Sequence, residues 1–195
     1  MNLDEIKSEL RFHLSEERYR HTLGVMYTAG VMALCHGAGL SDALTAGLLH
    51  DCTKDLSEAQ QRALCAREGV SLTSFEENNP KLLHSKTGAI EAESRYGVTD
   101  EDVLNAIRFH TTGRAGMSKL EKILFVADFI EPGRKNLKIL PEARQYAFTD
   151  LDECIYFISN NLCRYLQSTD EPIDNRTIET AKFYEKERSR WQKLQ

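Results

Sequence analysis

The chain has 195 residues, 28% of them charged and 41% hydrophobic, and a formal net charge of −5. That length suits one domain with a substantial core, hiding roughly 70% of the surface an unfolded chain exposes, and the composition excludes a disordered or fibrous chain. The acidic balance excludes an electrostatic footprint for a nucleic-acid polymer, and no apolar run approaches the roughly 20 residues that cross a bilayer.

Only 11 glycines and 4 prolines punctuate the chain, too few for a strand-and-turn protein. Apolar residues recur instead at helical spacing. The opening MNLDEIKSELRFHL carries acids in its first turn and lacks the continuous apolar stretch of a secretory signal. Ser15 predicts the start of a helix running to about Gly37, with Tyr19, Leu23, Met26, Tyr27, Val31 and Leu34 as its apolar stripe. Gly39 breaks it, Ser41-Asp42 opens a segment with the body ALTAGLLHDCTKDL, and Ser57 caps a third helix ending near Gly69. Residues 71–80 read as a loop. Helical patterns return at 82–95, 100–110, 118–130, 142–148, 150–167 and 177–193, the last a charged and solvated terminal helix. The expectation is an all-α single domain, 1–195, of roughly nine to ten helices. Cys35, Cys52, Cys65, Cys154 and Cys163 form no CxxC spacing, so neither a disulfide framework nor a zinc knuckle is indicated and a reducing cytoplasm is expected.

A few polar residues fall where a helix should bury its side chains. His50-Asp51 ends an apolar stripe, and Lys54 shares their face at the next turn. The string H-D-x-x-K-D therefore gathers a neutral ligand, an anionic ligand and a cation. Asp128 lies on the stripe of Leu120, Ile123, Leu124 and Ala127, with no arginine at i±3 or i±4. A buried carboxylate there must be protonated, paired across the fold or bound to a metal. His21, His84 and His110 begin or end other helical stretches. Each alone is more often structural, and His13 and His36 lack supporting neighbours.

Taken in order, H…HD…H…H…D over separate helices resembles the HD-domain superfamily of metal-dependent phosphohydrolases, over about residues 15–135. The stretches RYRHTLGV, AGLLHDCTKDL, LLHSKTGA, AIRFHTTGR, KILFVADFIEPGR and PIDNRTIE are similar to the bacterial YqeK family of symmetrical diadenosine tetraphosphate hydrolases. The resemblance implies a helical HD core with the helices of 142–193 packed on it. It also implies a metal on His21, His50, Asp51 and Asp128, and a second on His84 and His110 with Asp51 as bridge. Iron, one or two ions per chain, is the implied cofactor, and hydrolysis of Ap4A to two ADP by metal-activated water the implied reaction. Imidazole and carboxylate donors suit iron, manganese, zinc or cobalt better than calcium.

Around the metals, Asp51, Lys54, His84 and His110 are the expected catalytic groups, with Asp55 orienting Lys54 or a histidine. Arg134, Thr111 and Arg114 are candidate phosphate contacts, with Arg20 beside the ligand helix. Residues 171–177, with Ile173 and Arg176, are implied to close over the nucleoside. The expected partner is a dinucleoside polyphosphate or an ADP-like nucleotide, and a homodimer is compatible with the sequence. The same residues also suit an HD nucleotidase acting on another nucleotide, with one metal and His84 and His110 on phosphate, or a regulatory module that binds metal and nucleotide without turnover.

Overall fold

Capping chemistry written into the sequence starts most of the helices, in a computed structural model that describes residues 1–192, with side chains through Arg188. Asn2 caps α1 (Leu3–His13) and Ser15 caps α2 (Glu16–His36), which ends on Gly37 in the left-handed region at φ 66°. The helix α3 (Leu40–Leu49) starts from Gly39, two residues before the expected Ser41. Ser57 caps α4 (Glu58–Arg67) and Thr73 caps a short α5 (Ser74–Asn78). After a single 3-10 turn at Pro80–Leu82 come α6 (Leu83–Ser94), α7 (Glu101–Phe109) and α8 (Lys119–Ile130), the last two capped by Asp100 and Ser118. Then follow α9 (Leu140–Tyr146), α10 (Leu151–Ser168) from the cap Asp150, and α11 (Asn175–Gln192). In each side-chain cap, an oxygen accepts from a first-turn amide that has no partner within the helix. Among the described residues the fold is all-α, and no helix is long and apolar enough to cross a membrane. Lys193, the expected end of the last helix, and the residues after it lie outside the described residues.

The core lies where α2, α3, α7 and α8 meet. Val25, Met26, Ala29, Ala46, Leu49, Ile107, Ile123 and Leu124 are buried there. Contact between α2 and α3 is close enough to need a missing side chain: a Cβ on Gly47 would sit 2.6 Å from the Met26 Cα. The helix α1 covers one end through Ile6 and Leu10. On the other side α10 packs on α8, and α11 on α10. Tyr184 of α11 is fully buried, its hydroxyl accepting from the Met117 amide at 3.1 Å.

Besides the early start of α3, three further details differ from the sequence expectation. Eleven α-helices are described, and the additional one is α5, inside the segment expected as loop. It forms because Thr73 and Glu76 cap each other reciprocally. Tyr27, Val31 and Leu34 face solvent rather than the core, because Val25, Met26, Ala29, Met32 and Ala33 already fill the buried face of α2. Finally, α3 stops at Leu49. From His50 to Leu56 the chain tightens into successive i→i+3 turns, with Cys52 N bonded to Leu49 O, Lys54 N to Asp51 O and Leu56 N to Thr53 O. These turns carry the His-Asp pair into the interior.

Candidate metal centre

Four histidines from four elements aim one nitrogen each at the same small volume. His50 closes α3, His84 opens α6 and His110 closes α7; each donates Nδ1–H to the backbone carbonyl three residues earlier, Gly47, Lys81 and Ile107, at 2.7 Å. That bond fixes the tautomer and leaves the Nε2 lone pair facing inward. His21 on α2 reaches the same state differently: its Nδ1 donates to Glu131 Oε1 at 3.1 Å. The inward nitrogens meet in pairs, His21 with His50 at 3.4 Å and His84 with His110 at 3.3 Å.

Asp51 lies between the pairs. Its Oδ2 is 3.5 Å from His50 Nε2 and 3.8 Å from His21 Nε2; its Oδ1 is 3.4 Å from His84 Nε2 and 3.7 Å from His110 Nε2. Asp128 Oδ1 stands 3.0 Å from His21 Nε2 and 3.9 Å from His50 Nε2. Imidazole nitrogens and carboxylate oxygens thus converge on one small volume, with donors from Arg18, Arg134, Lys54 and Thr111 at its edges. Asp51 Oδ1 is buried and has no hydrogen-bond partner, which costs free energy unless a cation satisfies it. Ligand atoms bound roughly 2.1 Å from one ion stand about 3.0–3.4 Å apart, close to the spacings of the histidine pairs. Two groups, His21–His50–Asp51 and Asp51–His84–His110, could each hold an ion.

Electrostatics prepare the donors. Burial, with the neighbouring imidazole adding to it, pushes His84 down to about 3; burial and the nearby His50 push His110 down to about 4. Both rings are therefore neutral and able to bind metal. Burial opposes ionisation of Asp51 and Asp128 as well, yet it is outweighed. His50, His84 and His110 hold Asp51 well below the usual carboxylate range, and the His21 hydrogen bond, His50, His110 and Arg134 do the same for Asp128. His50 is raised despite its burial, because Asp51 and Asp128 draw positive charge toward it.

The expected phosphate contacts divide. Lys54 Nζ lies 3.0–3.1 Å from the ring nitrogens of His84. Thr111 Oγ1 is within 3.2–3.3 Å of the Nε2 atoms of His110 and His84. Arg134 donates to the Asp128 carbonyl at 3.1 Å and to its Oδ1 at 2.8 Å, so the buried carboxylate does have an arginine. That partner is six residues away, outside the i±3 and i±4 window, and the turn at Pro132-Gly133 folds it back. Arg20 is exposed and paired with Glu16 at 2.8 Å, away from the cluster. Arg114 makes a two-toothed pair with Glu121, at 2.7 and 3.0 Å. Asp55 accepts from the Ser15 amide at 2.7 Å, steadying the start of α2 instead of orienting Lys54 or a ligand. Arg176 pairs with Glu76 at 3.3 Å and lies 5.9 Å over the Phe109 ring, next to His110; Ile173 is half-buried near it in sequence.

Two residues here are absent from the sequence expectation. Arg18 Nη1 donates to Asp51 Oδ2 at 2.7 Å, and the i,i+3 spacing to His21 was its signal. Glu131, three residues after Asp128, is buried and holds both His21 Nδ1 and, at 2.5 Å, the Gly133 amide. Gly24 makes room for it, since a Cβ there would lie 2.5 Å from Glu131 Oε2.

The chain is similar to known proteins over most of its length. Residues 18–133 match the HD domain family. The chain is 38% identical over 173 residues to the symmetrical bis(5'-nucleosyl)-tetraphosphatase of Bacillus subtilis, covering 89% of this chain and 92% of the relative. It is 37% identical to the Staphylococcus aureus protein of the same name, covering 94% and 95%. A crystal structure from Clostridium acetobutylicum, described as a predicted HD superfamily hydrolase involved in NAD metabolism, superposes with a TM-score of 0.92 at 39% identity, covering 96% of this chain and 98% of that one.

Proposed function

The chain belongs to the HD domain family, in the group of symmetrical bis(5'-nucleosyl)-tetraphosphatases, and from that premise we propose that it hydrolyses Ap4A to two ADP. The oxygen of one water bonds to an inner phosphorus. The bridging bond between the second and third phosphates breaks, its oxygen leaves with the departing ADP, and the two water protons are shared out between the products and solvent. A transition metal on His21, His50, Asp51 and Asp128, with a second on His84, His110 and the other oxygen of Asp51, would supply an acidified water and neutralise phosphoryl charge. We take that metal to be iron, as the family resemblance implies, and the donor set suits it.

Asp51 carries this reading. Its unpartnered buried Oδ1 and its two oxygens, each facing a separate histidine pair, make it the natural bridge. Lys54 and Thr111, beside His84 and His110, can donate to phosphate oxygens on one side. On the other, Arg18 and Arg134 touch the carboxylates and can turn their remaining N–H groups to the substrate. Residues 171–177, beside the Arg176–Phe109 contact, are suited to the nucleoside. The proposed setting is the cytoplasm, where five free cysteines are at home. Incubating metal-replete protein with Ap4A and a panel of nucleotides tests the activity: ADP as sole product is expected, whereas AMP with ATP would mean the asymmetric cut and refute it. Two metal ions per chain by elemental analysis are expected with it; one would favour the mononuclear nucleotidase.

A further inference from the structure

Resting on that hydrolytic reading, we propose that the groove between the first turns of α2 and the Pro132–Arg134 turn holds the second nucleoside diphosphate, the half of the dinucleotide on the His21 side of the cut. A symmetrical cut needs room for one nucleoside diphosphate on each side of the attacked bond. Asp51 defines those sides, since its Oδ1 faces His84 and His110 while its Oδ2 faces His21, His50 and Arg18. Beyond the Oδ1 side lie Thr111, Phe109 and Arg176. Beyond the Oδ2 side opens a groove of about 670 Å³, lined by Glu17, Arg18, Arg20, His21, Pro132 and Arg134 among others. Its volume is within the roughly 300–1,000 Å³ of small-molecule sites.

The charges along the groove are ordered. His21 belongs to the proposed metal group, and Arg18 and Arg134 touch Asp51 and Asp128, so two guanidiniums stand at the inner end, where the Glu131 carboxylate is already taken up by His21 and the Gly133 amide. Arg18 Nε is buried with no hydrogen-bond partner, so the guanidinium keeps N–H capacity that no protein group uses. The exposed Glu17 and Arg20, the latter paired with Glu16 at 2.8 Å, line the groove from the first turns of α2, at its solvent rim. A carboxylate there repels phosphate and accepts from ribose hydroxyls or an exocyclic amine, which favours a nucleoside at that end.

Two measurements on the metal-loaded full chain test the assignment. Calorimetric titration with ADP should give two ADP per wild-type chain and one in Glu17→Trp, whose indole fills the rim. In the same variant, kcat/KM for Ap4A relative to adenosine 5'-tetraphosphate, which lacks the second nucleoside, should fall about tenfold, the equivalent of one lost good contact. Glu17→Ala, which removes the rim acceptor without adding bulk, should lower the same ratio. One ADP per wild-type chain with hydrolysis intact, or an unchanged ratio in both variants, overturns the groove assignment alone. Failure of the wild type to release ADP from Ap4A overturns the hydrolytic reading and the groove with it.

Discussion

Glu131 shows how much one carboxylate can organise. It fixes the His21 tautomer, takes the Gly133 amide, and so shapes the turn that returns Arg134 to Asp128. Glu131→Gln is therefore expected to weaken metal binding about 10–100-fold, the usual cost of losing a ligand's orienting partner, as read by chelator competition. Of the proposed ligands, His50-Asp51 and Asp128 stood out in the sequence, because an imidazole or carboxylate on an apolar stripe is costly, while His21, His84 and His110 were singled out only by the family resemblance. Their supports were less legible. Arg134 reaches Asp128 across a turn of six residues, and Asp55 turns to the Ser15 amide forty residues away; helical spacing reports neither. Arg18 could have been found from its i,i+3 relation to His21, since both face the same way on α2.

Most helix starts followed from capping residues, although α3 starts from Gly39 without a side-chain cap. The short α5 depends on the reciprocal Thr73–Glu76 cap, and the same Glu76 joins α5 to Lys86 of α6 at 2.5 Å and to Arg176 of α11 at 3.3 Å. Burial opposes its charge, but Lys86 and Thr73 prevail and hold its carboxyl below the ordinary value. A carboxyl lowered by folding stabilises above its unfolded pKa, about 4.3, and loses that contribution as pH falls through the lower folded value. Glu76→Gln is expected to cost about 3 kcal/mol at neutral pH, typical of a broken buried pair. The gap to wild type in urea unfolding should shrink below about pH 4. A gap that stayed constant with pH would mean that the cap, not the charge, holds α5. The exposed Tyr27, Val31 and Leu34 illustrate the opposite limit: spacing identified the helix, yet it could not say which of two apolar arcs on α2 faces inward.

At the scale of the molecule, the proposed donors come from α2, the turn after α3, α6, α7 and α8, so ions held there would add a tie between elements that also meet through apolar packing and a few hydrogen bonds. A ligand bound only by the folded state stabilises it by about 4 kcal/mol at a thousandfold excess over Kd. For a chain of this length that corresponds to roughly 8–16 °C in melting temperature. Calorimetric scans with and without a strong chelator should show a loss of that order, restored by added transition metal; identical melting curves would rule out an ion in the centre. The all-α class was plain from periodicity and scarce breakers, whereas the convergence of five elements on one point was visible only through family resemblance, since no local pattern encodes it.

The loop after His110 is braced from far along the chain: Thr180 donates to the Thr112 carbonyl at 3.1 Å, and the Tyr184 hydroxyl takes the Met117 amide. A polypeptide emerging from the ribosome therefore exposes every donor of the centre some fifty residues before this buttress is translated. Competence arrives late in synthesis, and a product cut short before α11 would carry a complete inventory of chemical groups on an unsupported loop.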